Sequence, residues 1–171
     1  MLRPWQESDY LDVFEYAKDP RVGPNAGWPI HKTEDDSKRI VNMFIKNKDC
    51  YAVVLKNKNK VIGSIGLHKR IPDENKKNLN QREIGYVLNP AYWGNEYIPE
   101  AVNLLIKFGF EKLHLDIIWC GHYNFNKNSK RVVEKCGFIY RFNKDTKLKL
   151  LDNKIVNELY YSITRNDYYN V

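Results

Sequence analysis

REIGYVLNPAYWGNEYIPEAV, residues 82–102, changes character twice. It begins as REIGYVLN (82–89), an apolar run with little alternation, which reads as a strand covered on both faces. Asn89-Pro90 closes that run. From about Ile98 to Leu113 the apolar period is helical. Ile98, Ala101, Val102, Leu105, Ile106 and Phe110 recur at three- and four-residue steps, and Leu104 and Phe108 widen the stripe. Between the two lies Trp93-Gly94-Asn95-Glu96-Tyr97, a turn that opens a helix. Unpaired N–H groups and the positive end of the helix dipole favour an anion at such a place. LDIIWC (115–120) is again a buried strand, so the whole is a parallel strand–helix–strand crossover.

Upstream, Leu2-Arg3-Pro4-Trp5 reads as a very short edge strand. Ser8 is expected to cap a helix through about Lys18, with Tyr10, Val13, Phe14 and Ala17 on one face, ended by Asp19-Pro20. PRVGPNAGWPIHK (20–32) reads as a Gly/Pro-rich loop carrying an exposed aromatic, Trp28. Thr33 caps a second helix through about Lys46, with Ile40, Phe44 and Ile45 turned inward. CYAVVLK (50–56) and KVIGSIGLHK (60–69) are rich in β-branched residues and form an antiparallel hairpin across Asn57-Lys58-Asn59. IPDENKKNLN (71–80) is a polar loop. Downstream, Asn126 or Asn128 starts a short helix, SKRVVEKC, closed by Gly137. FIYRF and KIVNELYYSI are the closing strands. The sheet is therefore mixed, and the fold class is α/β (α+β) in one domain, residues 1–171.

Composition bounds the function. An apolar share of 43% and a charged share of 29% describe an ordinary globular chain, and no apolar run is long enough to cross a bilayer. MLRPWQESDY lacks a signal-peptide pattern, so a cytoplasmic location is expected. Cys50, Cys120 and Cys136 are odd in number and not spaced as metal or redox pairs, which predicts buried reduced thiols and no metal. The net charge of +7 suits an anionic ligand. The basic residues are scattered, however, and no RNA-binding motif accompanies them, which argues against nucleic acid as the partner.

Two motifs in order narrow the reading. Ile84-Gly85-Tyr86, Pro90, Trp93-Gly94, Tyr97 and Glu100-Ala101 are followed by Asn126, Ser129, Val132 or Val133, Glu134-Lys135 and Gly137-Phe138. This pair resembles the core motifs of the GCN5-related N-acetyltransferase (GNAT) superfamily, most of all its RimJ/RimL-like branch. The start, LRPWQESDYLDVFEYAKDPRV, is similar to that branch as well. The resemblance implies a GNAT-type domain: a mixed, mostly antiparallel central sheet, helices on both faces, and a βαβ core that binds acetyl-CoA. It implies acetyl transfer from that cosubstrate to a primary amine. The acceptor is then a protein N-terminal α-amino group or, alternatively, a small amine of the antibiotic type. A non-catalytic acyl-CoA- or ribosome-binding module with the same fold is the reading from another class.

The resemblance also assigns residues. Glu83 is the candidate base and Ser129 the candidate acid; Ser129 equally suits a helix start, and Val133 stands where many relatives carry a tyrosine. Main-chain groups of Val87 and Leu88 are expected to meet the thioester and pantetheine. Trp93, Gly94, Asn95, Glu96 and Tyr97 are expected to hold the diphosphate. Asn126 either holds pantetheine or caps its helix. Trp28 and His31 are expected on the acceptor side, and His122, on the loop after the LDIIWC strand, is a further candidate for that side. The family prefers glycine where Glu96 stands and glycine or alanine at Ile98, so Glu96 fits a diphosphate only if its side chain points away. Tyr160 and Tyr161 suit core packing or the contact of a homodimer.

Overall fold

The structure, a computed structural model, describes residues 1–170 of the chain. Seven strands form one sheet in the order β1-β2-β3-β4-β5-β7-β6. They are β1 (Leu2–Arg3), β2 (Cys50–Leu55), β3 (Lys60–His68), β4 (Gln81–Leu88), β5 (Ile117–Tyr123), β6 (Ile139–Leu148) and β7 (Lys154–Thr164). β4 and β5 pair in parallel, whereas β1–β2, β2–β3 and β5–β7 are antiparallel. The sheet is thus mixed and mostly antiparallel, as the sequence predicts. The chain divides into two compact units. One comprises Met1–Gly66, Tyr86–Tyr97 and Leu148–Lys154; the other comprises Leu67–Gly85, Ile98–Lys147 and the chain from Ile155 onward.

The first unit holds α1 (Tyr10–Ala17), α2 (Gly23–Ala26) and α3 (Glu34–Asn47). Its core is built from Trp5, Val13, Tyr16, Val41, Ala52 and Val61, with neighbours from the same elements. α1 is not capped by Ser8 as expected. A 3-10 turn, Glu7–Asp9, precedes it, and the buried Asp9 carboxylate accepts the Gln6 N–H at 2.8 Å. The same carboxylate takes two hydrogen bonds from Arg3, at 2.7 and 2.8 Å. The Asp9 side chain makes no capping bond to α1; its carboxylate is committed to an amide and a guanidinium together. The Gly/Pro-rich segment is not all loop. Pro24 stands in the first turn of α2, where its missing N–H costs nothing, and Gly27 ends that helix at φ 89°.

Thr33 caps α3 as expected. Its N–H donates to Asp36 at 2.9 Å, and its hydroxyl accepts the Asp36 N–H at 3.4 Å. The face of α3 is rotated from the expected one: Ser37 and Val41 are the buried residues, and Ile40, Phe44 and Ile45 are half-buried.

In the second unit, helix α4 (Tyr97–Glu111) lies on β5. Ala101, Val102, Leu105 and Phe110 are buried along its inner stripe. Gly109 lets the helix come close: a Cβ there would meet Ile118 Cδ1 at 2.7 Å and Leu115 Cδ1 at 3.0 Å. β5 runs on to Tyr123, so His122 is a buried strand residue and not a loop residue. Its Nδ1 meets the Tyr123 carbonyl at 2.9 Å, and its ring stacks on Tyr161. α5 spans Lys127–Lys135, and Gly137 follows at φ 78°. A last helix, α6 (Arg165–Tyr169), was not expected; Thr164 and Asp167 cap it reciprocally, and Tyr168 stacks on Phe110. Among the described residues, no helix is long and apolar enough to cross a membrane.

Candidate active site

The turn between β4 and α4 is built from main-chain bonds inward. Asn89 N–H donates to the Ile62 carbonyl of β3 at 2.7 Å. Gly63 lies under the same stretch: a Cβ there would stand 2.3 Å from the Val87 carbonyl oxygen and 3.1 Å from Leu88 Cα. Only glycine lets β4 approach so closely. The amides of Ala91, Tyr92 and Trp93 are committed within the turn, to Asn89 Oδ1, the Asn89 carbonyl and the Pro90 carbonyl respectively. The Trp93 indole N–H donates to the Leu88 carbonyl at 3.0 Å, and its ring lies under the Arg21 guanidinium. Trp93 therefore shapes the turn rather than offering it a donor.

Two left-handed residues follow, Gly94 at φ 81° and Glu96 at φ 62°. Successive turns of this kind bring main-chain N–H groups to one side and make an anion-receiving concavity. The conformation explains the glycine preferred at the position of Glu96. Glu96 adopts the glycine-like backbone, and residues 94–96 are exposed. The Asn95 side chain closes the outside, donating to the Tyr92 and Trp93 carbonyls, each at 3.1 Å. The left-handed turn is kept although glutamate stands where the family prefers glycine.

Glu83 stands on β4, where parallel pairing with β5 runs from Gln81↔Ile117 to Ile84↔Cys120. It is 7% exposed. Burial is the main cause that pushes its carboxyl up to about 7; Glu158 adds to this, while Arg70 and Lys144 oppose it. Arg70 Nη1 stands 3.7 Å from Glu83 Oε1. Strand alternation and register place Glu83, Trp119, Gly121, Tyr123, Glu158 and Tyr160 on one face. Glu158 Oε2 accepts from the Thr146 hydroxyl at 2.8 Å and the Tyr160 hydroxyl at 2.7 Å. Its other oxygen lies over Gly121, 3.1 Å from where a Cβ would be. Burial pushes Tyr123 up to about 12 and raises Tyr160 further, so both phenols keep their protons. This group around Glu83 was not anticipated. The alternation of Glu158 and Tyr160 in KIVNELYYSI was its one visible signal.

Asn126 caps α5, its side-chain oxygen accepting the Ser129 N–H at 3.1 Å. Trp28 and His31 form a packed pair in the first unit. Trp28 is half-buried rather than exposed, and a Cβ on Gly23 would strike its ring at 2.6 Å. His31 Nδ1 meets Ser37 Oγ at 2.8 Å, and burial lowers its pKa.

The parallel pairing of β4 with β5 on either side of α4 gives the chain a βαβ core. The family described as acetyltransferase (GNAT) domain matches residues 1–139. The chain belongs to the GNAT acetyltransferase family, and it is an acetyltransferase. It is 30% identical to the N-acetyltransferase YnaD of Bacillus subtilis (strain 168) over 141 residues, 80% of this chain and 77% of that one. It is 37% identical to the N-acetyltransferase p20 of Bacillus licheniformis over 122 residues, 68% of this chain and 66% of that one. Among solved structures, a GNAT-family acetyltransferase from Bacillus anthracis superposes with a TM-score of 0.83 at 28% identity, covering 96% of this chain and 94% of that one. A ribosomal-protein-S5-alanine acetyltransferase from Vibrio fischeri shares the fold, with a TM-score of 0.70 at 21% identity, covering 98% of this chain and 93% of that one. Members of the family use acetyl-CoA and transfer its acetyl group to an amine.

Proposed function

We propose that the chain acetylates a protein or peptide N-terminal α-amino group, with Glu83 as the base. The observation that carries this reading is the buried Glu83 carboxyl at about 7. An α-ammonium has a reference pKa of about 7.7–8.0, about one unit above that base, whereas lysine at about 10.4 lies more than three units above it. Proton transfer to Glu83 is therefore near balance for the first and uphill for the second. The Vibrio fischeri neighbour, described as acting on an alanine of a ribosomal protein, is in keeping with such an acceptor.

Acetyl-CoA supplies the activated acetyl thioester. Main-chain N–H groups at the start of α4, from Gly94 to Tyr97, would receive its diphosphate. Main-chain N–H groups of Val87 or Leu88 would orient the thioester carbonyl, and Asn126 would meet the pantetheine arm while capping α5. Glu83 accepts a proton from the ammonium. The freed amine forms the N–C bond, the C–S bond breaks, and Ser129 passes a proton to the sulfur. The nitrogen's second proton restores Ser129 and Glu83 releases its proton to solvent, so one proton is released overall. Trp28 and His31 would contact the acceptor.

The test is release of coenzyme A thiol with a panel of amines: a peptide with a free N-terminus, the same peptide N-blocked but carrying lysine, and a polyamine. The free-terminus peptide should give the highest kcat/KM. Preference for the polyamine or the blocked peptide would overturn the acceptor assignment.

A further inference from the structure

Asn89 is 5% exposed and uses each of its polar groups. Its N–H is bonded to β3 and its carbonyl to the Tyr92 amide at 2.9 Å. Its side-chain oxygen accepts the Ala91 N–H at 3.0 Å, and its side-chain nitrogen donates to Glu15 Oε1 at 2.9 Å. Glu15, on α1, is itself held: Lys60 Nζ meets its other oxygen at 2.6 Å and Asp12 Oδ1 at 3.0 Å. Asp12 Oδ2 accepts the Val61 N–H at 2.8 Å. A chain of charge-assisted bonds thus runs from the start of β3 through α1 to the first residue of the turn. The Lys60 ammonium, first of all, holds Glu15 ionised below the usual glutamate range, with Asn89 assisting.

We propose that Asn89, anchored by Glu15, is a positioning residue that sets the turn from Pro90 to Glu96 in the shape that receives the diphosphate of acetyl-CoA. This rests on the acetyl-CoA reading above. Asn89 touches no reacting atom in that reading. It acts through the turn: with Ala91, Tyr92 and Trp93 tied back to Asn89 and Pro90, the left-handed pair Gly94 and Glu96 follows from a fixed origin. Affinity then comes from preorganisation, because the turn need not be ordered when the ligand arrives.

The test is a polarity swap. Asn89→Asp keeps the size and the acceptor for Ala91, but sets a second carboxylate against Glu15. Asn89→Ser keeps a short acceptor and only removes the link, so one variant remains usable if the other fails to fold. Glu15→Gln combined with Asn89→Asp rebuilds the bond with donor and acceptor exchanged. Titration calorimetry with acetyl-CoA should show about tenfold weaker binding in either Asn89 variant and recovery to within about threefold in the double variant. The kcat at saturating acetyl-CoA and the KM for the amine should change by less than about twofold. Unchanged acetyl-CoA affinity in a folded Asn89 variant, or no recovery in the swap, overturns the proposal alone. Wild-type protein that does not bind acetyl-CoA overturns the acetyl-CoA reading and the proposal together.

Discussion

Tyr160 donates its hydroxyl to Glu158 at 2.7 Å, on the face of the sheet that also carries Glu83. The phenol keeps its proton, and its carboxylate partner stands on the same face as a second carboxyl that burial has made reluctant to ionise.

The charged groups facing Glu83 are Arg70, Lys144 and Glu158, with Tyr123 and Tyr160 neutral beside them. With Glu83 as the proposed base, which acts in its ionised form, activity should rise with pH through about 7. Glu158→Gln keeps an oxygen for Thr146 and Tyr160 but removes a negative charge, and should move the acidic limb of the kcat/KM profile to lower pH. Arg70→Ala removes an opposing cation and should move it to higher pH. Equal profiles for all three proteins would show that the limb does not report Glu83.

Glu83→Gln should lower kcat/KM by about a hundredfold or more while leaving the Kd for acetyl-CoA within about twofold. The same variant should be more stable than the parent in alkaline solution. The folded carboxyl titrates at about 7 against 4.5 in the reference state. Between those values the native state binds more protons, so stability falls as pH rises from about 4.5 to about 7. Above that window the gain from glutamine is on the order of 3 kcal/mol, and below pH 4 it should vanish. Urea denaturation at pH 4 and pH 8 measures both.

Glu96→Gly should stabilise the fold by about 0.5–1 kcal/mol, because a non-glycine residue in the left-handed region costs about 1–2 kcal/mol and the added chain entropy returns part of that. Acetyl-CoA should bind at least as tightly. Weaker binding would mean that the Glu96 side chain assists the ligand.

Gly63→Ala should be among the costliest single methyl additions in the chain. The new atom meets a carbonyl oxygen at 2.3 Å, which is backbone and cannot rotate away. A loss of about 2–3 kcal/mol in stability is expected, with a raised KM for acetyl-CoA as Val87 and Leu88 shift. Gly94→Ala meets no atom within 4 Å and should cost only its backbone strain at φ 81°.

The sequence made the frame legible where period and punctuation agree. The stripe from Ile98 to Phe110, the Thr33 cap and the β-branched hairpin each appear where expected. Trp93-Gly94 is legible as a turn before a helix, a local feature, whereas Glu83 is singled out only through the family resemblance. What escaped depends on partners distant in the chain. Glu158 gains meaning only when β7 pairs with β5, and Asn89 only when α1 packs beneath the turn. Ser8 does not cap α1 because a 3-10 turn precedes that helix, and the Asp9 carboxylate within it is held by Arg3 from another element. His122 looked like a loop residue because Gly121 breaks the apolar run, yet Gly121 makes room for the Glu158 carboxylate.

Gly109 sets a limit on engineering this chain. Alanine there would favour the helix by about 1 kcal/mol in isolation, so any scheme that raises local propensity will select it. The methyl would nevertheless collide with Ile118 and Leu115, and the helix would have to lift away from β5. Thermostable versions should be sought on the solvent side of α4, at positions such as Asn103 and Lys107, with the contact seam left untouched.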